Sequence, residues 1–233
     1  MKKILTLFCI LLAGVTIDGT ASLFAQKVQP TQHLPIIEAR STGTGDYYVI
    51  FLTGNGGWRN LVRSVTHYLN ERNISVVAIN TKKYLWSEKL PAQIGCDLES
   101  LVARYDRKWS GKKVVIMGFS MGAEVLPFAV NCMGAKFTSE IYDLILISPW
   151  QKATFKVKIR DYFSEVNSGA DLLNELSKMK IKRGYIICDD TEFSISHKDL
   201  NGIIDYDLLG GGHHFGGNYV TLSKLIGKQL NLQ

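Results

Sequence analysis

From Tyr47 to Leu230 the chain alternates between two kinds of apolar pattern. Short runs such as YYVIFLT (Tyr47–Thr53) and ISVVAIN (Ile74–Asn80) are apolar at nearly every position. Between them, apolar residues recur every three or four positions. The first pattern reads as a strand buried on both faces, and the second as an amphipathic helix laid against a sheet. Further strands are expected at Lys113–Gly118 (KVVIMG), Tyr142–Ser148 (YDLILIS), Tyr185–Cys188 (YIIC) and Ile203–Leu208. One helical face carries Trp58, Leu61, Val62, Val65 and Leu69. A second, within Gln93–Lys108, carries Ile94, Leu98, Leu101, Val102 and Tyr105. A third helix opens near Met121, and a last one lines up Tyr219, Leu222, Ile226 and Leu230. Strand and helix in regular succession predict an α/β fold, with a mainly parallel sheet and helices on both faces. Pro149–Gly169 interrupts the succession and reads as a cap or insertion. Residues 26–44 are polar and poorly patterned, with one edge strand expected near Leu34–Ala39.

The amino-terminal stretch follows a different logic. Met1-Lys2-Lys3 is basic, Ile4–Val15 is an apolar run of twelve residues, and a small polar segment ends in Ala21-Ser22-Leu23-Phe24-Ala25. This is the layout of a secretory signal peptide, and the run is short for a bilayer span. Cleavage is expected after Ala25, with Ala21 as the second choice. That leaves residues 26–233 as one domain in a periplasmic or secreted protein. Cys9 follows Phe8 inside the apolar run and is a poor lipoprotein acceptor.

Composition narrows the classes of partner. The 233 residues are 46% hydrophobic and 21% charged, enough for one domain with a substantial core. Removing residues 1–25 takes away Lys2, Lys3 and Asp18 and leaves 25 basic against 20 acidic residues, a net charge of +5. The lysines are interspersed with carboxylates and form no basic block, which argues against nucleic acid as a partner. A mildly basic exported protein is compatible with peripheral contact to an anionic membrane. Cys96, Cys132 and Cys188 allow one disulfide at most, and their spacing suits no metal site. No cofactor signature is present. "TGNGGW" (Thr53–Trp58) lacks the lysine and the Ser/Thr of a P-loop and the spacing of a dinucleotide loop.

The chemistry centres on "IMGFSMGAEVLP" (Ile116–Pro127), where Ser120 stands between two glycines at the junction of a strand and a helix. A lone GxSxG is weak evidence, but a nucleophile elbow needs this context. The serine must take a strained backbone conformation, the glycines let neighbouring backbone approach, and the helix amino terminus favours an oxyanion. A serine hydroxyl also needs a base and an orienting acid, which in this fold follow it in the order acid, then histidine. The pair His213 and His214 in "GGGHHFGGNY" follows the last strand, and His213 is preferred as base. Past the fifth strand, "CDDTEFS" offers Asp189, Asp190 and Glu192. Glu192, a short turn beyond the strand, is preferred, with Asp190 next. The glycine loop after the first long strand suits an oxyanion hole, built from the backbone N–H groups of Asn55 and Met121. Tyr84 and Trp86, after the second long strand, are candidates for a substrate pocket, with His214 beside them.

Four separated motifs, "TGNGGW", "YLWSEKLP", "GFSMGAEVLP" and "GGGHHFGGNY", resemble the bacterial VirJ/AcvB virulence-protein family from about residue 47 onward. The resemblance implies a periplasmic α/β-hydrolase fold and a link to type IV secretion. Some members of the family hydrolyse aminoacyl esters of phosphatidylglycerol. Its serine falls on Ser120 and its histidine pair on His213 and His214. The chain departs from the expected pattern at Asn55 and Glu124, where the family has Asp. The resulting expectation is an exported serine esterase acting on an ester or aminoacyl lipid. The alternative is a non-catalytic periplasmic binding or assembly factor on the same fold.

Overall fold

The computed structural model describes residues 29–109, 112–157 and 169–232. The expected signal segment and its cleavage sites lie outside them, as does much of Pro149–Gly169. Seven strands form one sheet in the order β1-β3-β2-β4-β5-β8-β9. They are β1 (Ile36–Ala39), β2 (Tyr47–Leu52), β3 (Ser75–Ile79), β4 (Lys113–Phe119), β5 (Ile141–Ile147), β8 (Gly184–Cys188) and β9 (Asp205–Leu208). All neighbours pair in parallel except β1, which runs antiparallel along β3 and closes that side of the sheet. β9 closes the other side. A two-stranded ribbon, β6 (Lys152–Ala153) with β7 (Ala170–Asp171), stands apart from the main sheet.

The period-two pleat distributes the core over two layers. From β2, Tyr48, Ile50 and Leu52 point to one face, where α3 (Pro91–Lys108), α4 (Met121–Asn131) and α6 (Leu172–Leu176) pack. Tyr47, Val49 and Phe51 point to the other, against α1 (Asn60–Glu71) and α7 (Tyr219–Gln229). Every residue of β2 and β3 is therefore buried. α4 is unlike the surface helices, because all ten residues from Met121 to Val130 are buried. The helix behind the candidate nucleophile is thus a core element with no solvent face. Three short helices, α2 (Thr81–Tyr84), α5 (Ala135–Glu140) and α6, were not expected from the pattern. Among the described residues no helix is long and apolar enough to cross a membrane, and no disulfide links Cys96, Cys132 and Cys188.

The first described residues are tied down by a buried carboxylate. Asp97 on α3 accepts from the Thr31 backbone N–H at 2.5 Å and from the Thr31 hydroxyl at 2.7 Å. It also accepts from the Tyr84 hydroxyl at 2.5 Å.

Candidate active site

β4 ends at Phe119 and α4 begins at Met121, so Ser120 alone makes the turn. Its φ is 53° and its ψ is −129°, a strained conformation for a residue with a side chain. Both flanking glycines are there for close approach. A Cβ on Gly118 would lie 2.6 Å from the Ala123 nitrogen, and one on Gly122 would lie 2.3 Å from the Leu52 carbonyl oxygen. The Ser120 carbonyl accepts the first helical bonds, from Ala123 N–H at 2.7 Å and Glu124 N–H at 2.9 Å. The Met121 N–H belongs to the first turn, where N–H groups have no partner within the helix.

The loop after β9 brings the histidine to this turn. His213 Nε2 lies 2.9 Å from Ser120 Oγ. The Phe119 ring stacks on the imidazole at 5.4 Å between centroids and limits its rotation. On the far side of the ring, Nδ1 faces Ser148 Oγ at 2.7 Å, Asp189 Oδ2 at 3.2 Å and the Trp150 indole nitrogen at 3.2 Å. Asp189 is buried and also accepts from the Thr191 N–H at 2.8 Å and from the hydroxyls of Thr191 and Ser148. Burial pushes its pKa up, but the hydrogen bonds from His213, Ser148 and Thr191 outweigh that and bring it down to about 2. The carboxylate is therefore ionised at neutral pH.

This geometry corrects the expected acid. Glu192 is exposed, and its backbone carbonyl accepts from the Gln151 side chain at 3.3 Å. Asp190 is exposed too, and it holds the histidine loop by accepting from the N–H groups of Gly211 at 3.2 Å and Gly212 at 2.7 Å. Thr191 folds back onto Asp189, so the residue directly after β8 faces His213 and the later carboxylates turn outward. Tyr84 is corrected as well. It is buried against α3 with its hydroxyl on Asp97, and Trp86 is 58% exposed; neither lines the two cavities at Ser120 described below. His214 does line one, and burial and the neighbouring His213 lower its pKa.

Two cavities open on Ser120 and His213, and Asn55 lines both. The larger, about 420 Å³, runs along the Gly54–Gly57 loop to Phe119, His214 and Tyr219. The smaller, about 100 Å³, is bounded by Met121, Glu124, Trp150, Lys152 and Thr154. Glu124 is only 5% exposed, and burial pushes its carboxyl up to about 8, against a bond from the Trp150 backbone N–H that lowers it. Lys152 is engaged with Asp171 at 2.8 Å. Two participants were missed from sequence, Ser148 and the buried setting of Glu124. The one available signal was position, since Ser148 directly follows a strand and Glu124 falls in the first turn after the serine. Among the described residues no cluster of three or more His, Cys, Asp or Glu is placed to hold a metal ion.

Residues 46–233 match the family described as bacterial virulence protein (VirJ). The chain belongs to the VirJ family. No curated protein sequence matches it. Among solved structures, this VirJ-family chain is similar to Est1E from Butyrivibrio proteoclasticus, with TM-score 0.59 and 11% identity over 84% of this chain and 94% of that one. An esterase of Pyrococcus furiosus gives TM-score 0.59 and 15% identity over 88% and 97% of the two chains. An alpha-beta serine hydrolase homologue from Coxiella burnetii gives 0.57 and 18% over 84% and 90%. At these identities the likeness establishes the α/β-hydrolase fold for the VirJ-family chain.

Proposed function

We propose that this protein is a serine hydrolase of carboxylic esters, with Ser120 as nucleophile, His213 as general base and Asp189 as the acid that orients it. The observation that carries the reading is the 2.9 Å contact of His213 Nε2 with Ser120 Oγ, with an ionised carboxylate behind the ring. His213 takes the Ser120 proton as Oγ attacks the ester carbonyl. The tetrahedral oxyanion sits at the N–H groups of Met121 and Asn55, next to the positive end of α4. His213 then returns the proton to the departing alcohol, leaving an acyl-serine. Water, deprotonated by the same histidine, cleaves the acyl-serine and frees the acid.

The unequal cavities favour a small acyl group on a larger alcohol. The smaller cavity, about 100 Å³ against about 420 Å³, has the less room and suits a short acyl group better than a fatty chain. Glu124 gives that cavity a carboxyl, which suits an acyl group bearing an ammonium. Burial keeps the empty carboxyl protonated at neutral pH, and a seated ammonium would draw off that proton and pair with it. An aminoacyl ester of a lipid such as phosphatidylglycerol meets both demands, with peripheral contact to the membrane that holds it. The basic, apolar and small-residue layout of residues 1–25 supports export to the periplasm.

The test is a fluorophosphonate probe, which reports attack by serine, run beside turnover of p-nitrophenyl acetate and alanyl-phosphatidylglycerol. Wild type should label and turn over both esters, and Ser120→Ala should do neither while keeping its melting curve. Folded wild type that neither labels nor turns over ester would refute the hydrolase reading. Turnover of the acetate alone would refute the aminoacyl substrate and keep the hydrolase.

A further inference from the structure

The Nδ1 side of His213 holds more than the acid. Ser148 Oγ is its closest neighbour at 2.7 Å, and the Asp189 oxygen is farther at 3.2 Å. The Ser148 hydroxyl has one proton and three acceptors in reach: the ionised Asp189 carboxylate, the His213 carbonyl at 3.3 Å and, in the tautomer that leaves it bare, His213 Nδ1 at 2.7 Å. Of these, only the carboxylate contact is charge-assisted, so the proton goes there. The Ser148 oxygen then presents its lone pairs to Nδ1 and favours the tautomer with hydrogen on Nδ1. That is the tautomer in which Nε2 is free to take the Ser120 proton. The Trp150 indole N–H, 3.2 Å from the same nitrogen, finds a lone pair there only in the opposite tautomer.

The backbone holds Ser148 firmly in this position. It is fully buried at the end of β5, its φ is 49°, and its N–H donates to the Ile187 carbonyl at 2.7 Å. A side chain in a left-handed conformation costs roughly 1–3 kcal/mol and persists where its surroundings over-determine it. Glycine would take this conformation without that cost, so the hydroxyl is the distinguishing feature of a serine here.

We infer that Ser148 is a positioning residue, a hydroxyl bridge between His213 Nδ1 and Asp189 that fixes the base in its productive tautomer. The proposal rests on the hydrolase reading above. No proton crosses the bridge during turnover. The hydrogen stays on Nδ1, Ser148 keeps its own, and the positive charge gained by the ring is stabilised through the serine dipole and the carboxylate behind it.

The test pairs Ser148→Gly, which keeps the backbone conformation, with Ser148→Ala, which keeps the Cβ. On p-nitrophenyl acetate each should lower kcat about tenfold to a hundredfold, the range for a hydrogen bond to a charged group, with KM unchanged. The double change Ser148→Gly/Asp189→Asn should be no slower than Asp189→Asn alone, because both act through one chain of bonds. Histidine-¹⁵N NMR of the resting protein should show Nδ1 protonated in wild type, and its downfield proton should move upfield in both Ser148 variants. Folded variants with wild-type kcat, or losses that multiply in the double change, would overturn the bridge. So would an Nδ1 proton signal that ignores Ser148. The NMR needs no substrate, so it decides the bridge even if wild type turns over no ester, an outcome that would instead count against the hydrolase reading.

Discussion

Replacing Glu124 with Gln should make the protein more stable at neutral pH and change almost nothing in acid. The carboxyl is buried, its pKa is raised from 4.5 to about 8, and the largest cause is desolvation. An acid raised in the folded state contributes its full stability below the unfolded value and loses it as the pH rises towards the folded one. Here the window runs from 4.5 to about 8. Within it the unfolded chain has ionised while the folded chain still holds its proton, a penalty of about 1.4 kcal/mol per pH unit. At pH 7 this comes to about 3 kcal/mol, as an order of magnitude. Gln keeps the length and planarity of Glu, and its carbonyl is able to accept the Trp150 N–H without ever ionising. Urea denaturation followed by circular dichroism at pH 4.5, 6, 7 and 8 checks this. The midpoint of the Gln variant should exceed wild type by about 1 M or more of urea at pH 7, and the gap should close towards pH 4.5. A gap that stays constant with pH, or a less stable variant at pH 7, would refute the desolvated carboxyl. The same substitution should raise KM for an aminoacyl ester while sparing an acetyl ester, as expected when a site keeps a group that its fold would rather lose.

Asp189→Asn should reduce kcat by about 10³–10⁴ through the wrong tautomer and lost charge stabilisation, whereas Glu192→Gln should leave ester turnover near wild type. The reverse ranking in steady-state assays would return the acid to the outer turn. Because Asp189 is lowered from 3.8 to about 2, its ionised form stabilises the fold above 3.8, and that contribution should fade as pH falls through about 2. Melting curves of wild type and Asp189→Asn should draw together at the acid end. Gly122→Ala should cost about 1–3 kcal/mol or more in thermal melts and weaken fluorophosphonate labelling, since its methyl meets the Leu52 carbonyl. Unchanged melting would disprove the close approach. Tyr84→Phe should lower stability by about 1–2 kcal/mol and leave kcat alone, because it removes a donor to the buried Asp97 and nothing at Ser120. A protein recovered from the periplasmic fraction should have an intact mass that begins near Gln26, and a full-length cytoplasmic chain would refute export.

The strands were legible because a parallel sheet covered on both faces needs apolar residues at nearly every position; β2 supplies them in an unbroken run, and β3 and β5 depart from it only at Ser75 and Asp143. The turn at Ser120 was legible for a similar reason, since two glycines flanking one serine at a strand end solve a steric problem visible in the letters. The acid was not. Asp189, Asp190 and Glu192 are chemically alike within four positions, and what separates them is the Thr191 turn that folds back on Asp189. That turn is a matter of backbone angles with no periodicity to betray it. Ser148 was hidden in the same way, because its left-handed backbone has no sequence signature in a residue other than glycine. Tyr84 misled by following a strand by only five residues, while its ring packs inward towards α3. The short helices α5 and α6 were missed because five or six residues hold too few apolar positions to establish a period.

The outermost strand, β9, has a bearing on self-association. A parallel sheet that ends in an unpaired strand offers its open row of N–H and C=O groups to any other chain. The four residues of β9 are Asp-Tyr-Asp-Leu, and a second copy laid antiparallel about Tyr206 would set each Asp205 against the other chain's Asp207. Like charges directly opposite across a ladder are destabilising. That edge of the sheet thus carries its own repulsion, and strand addition between two of these molecules is disfavoured there.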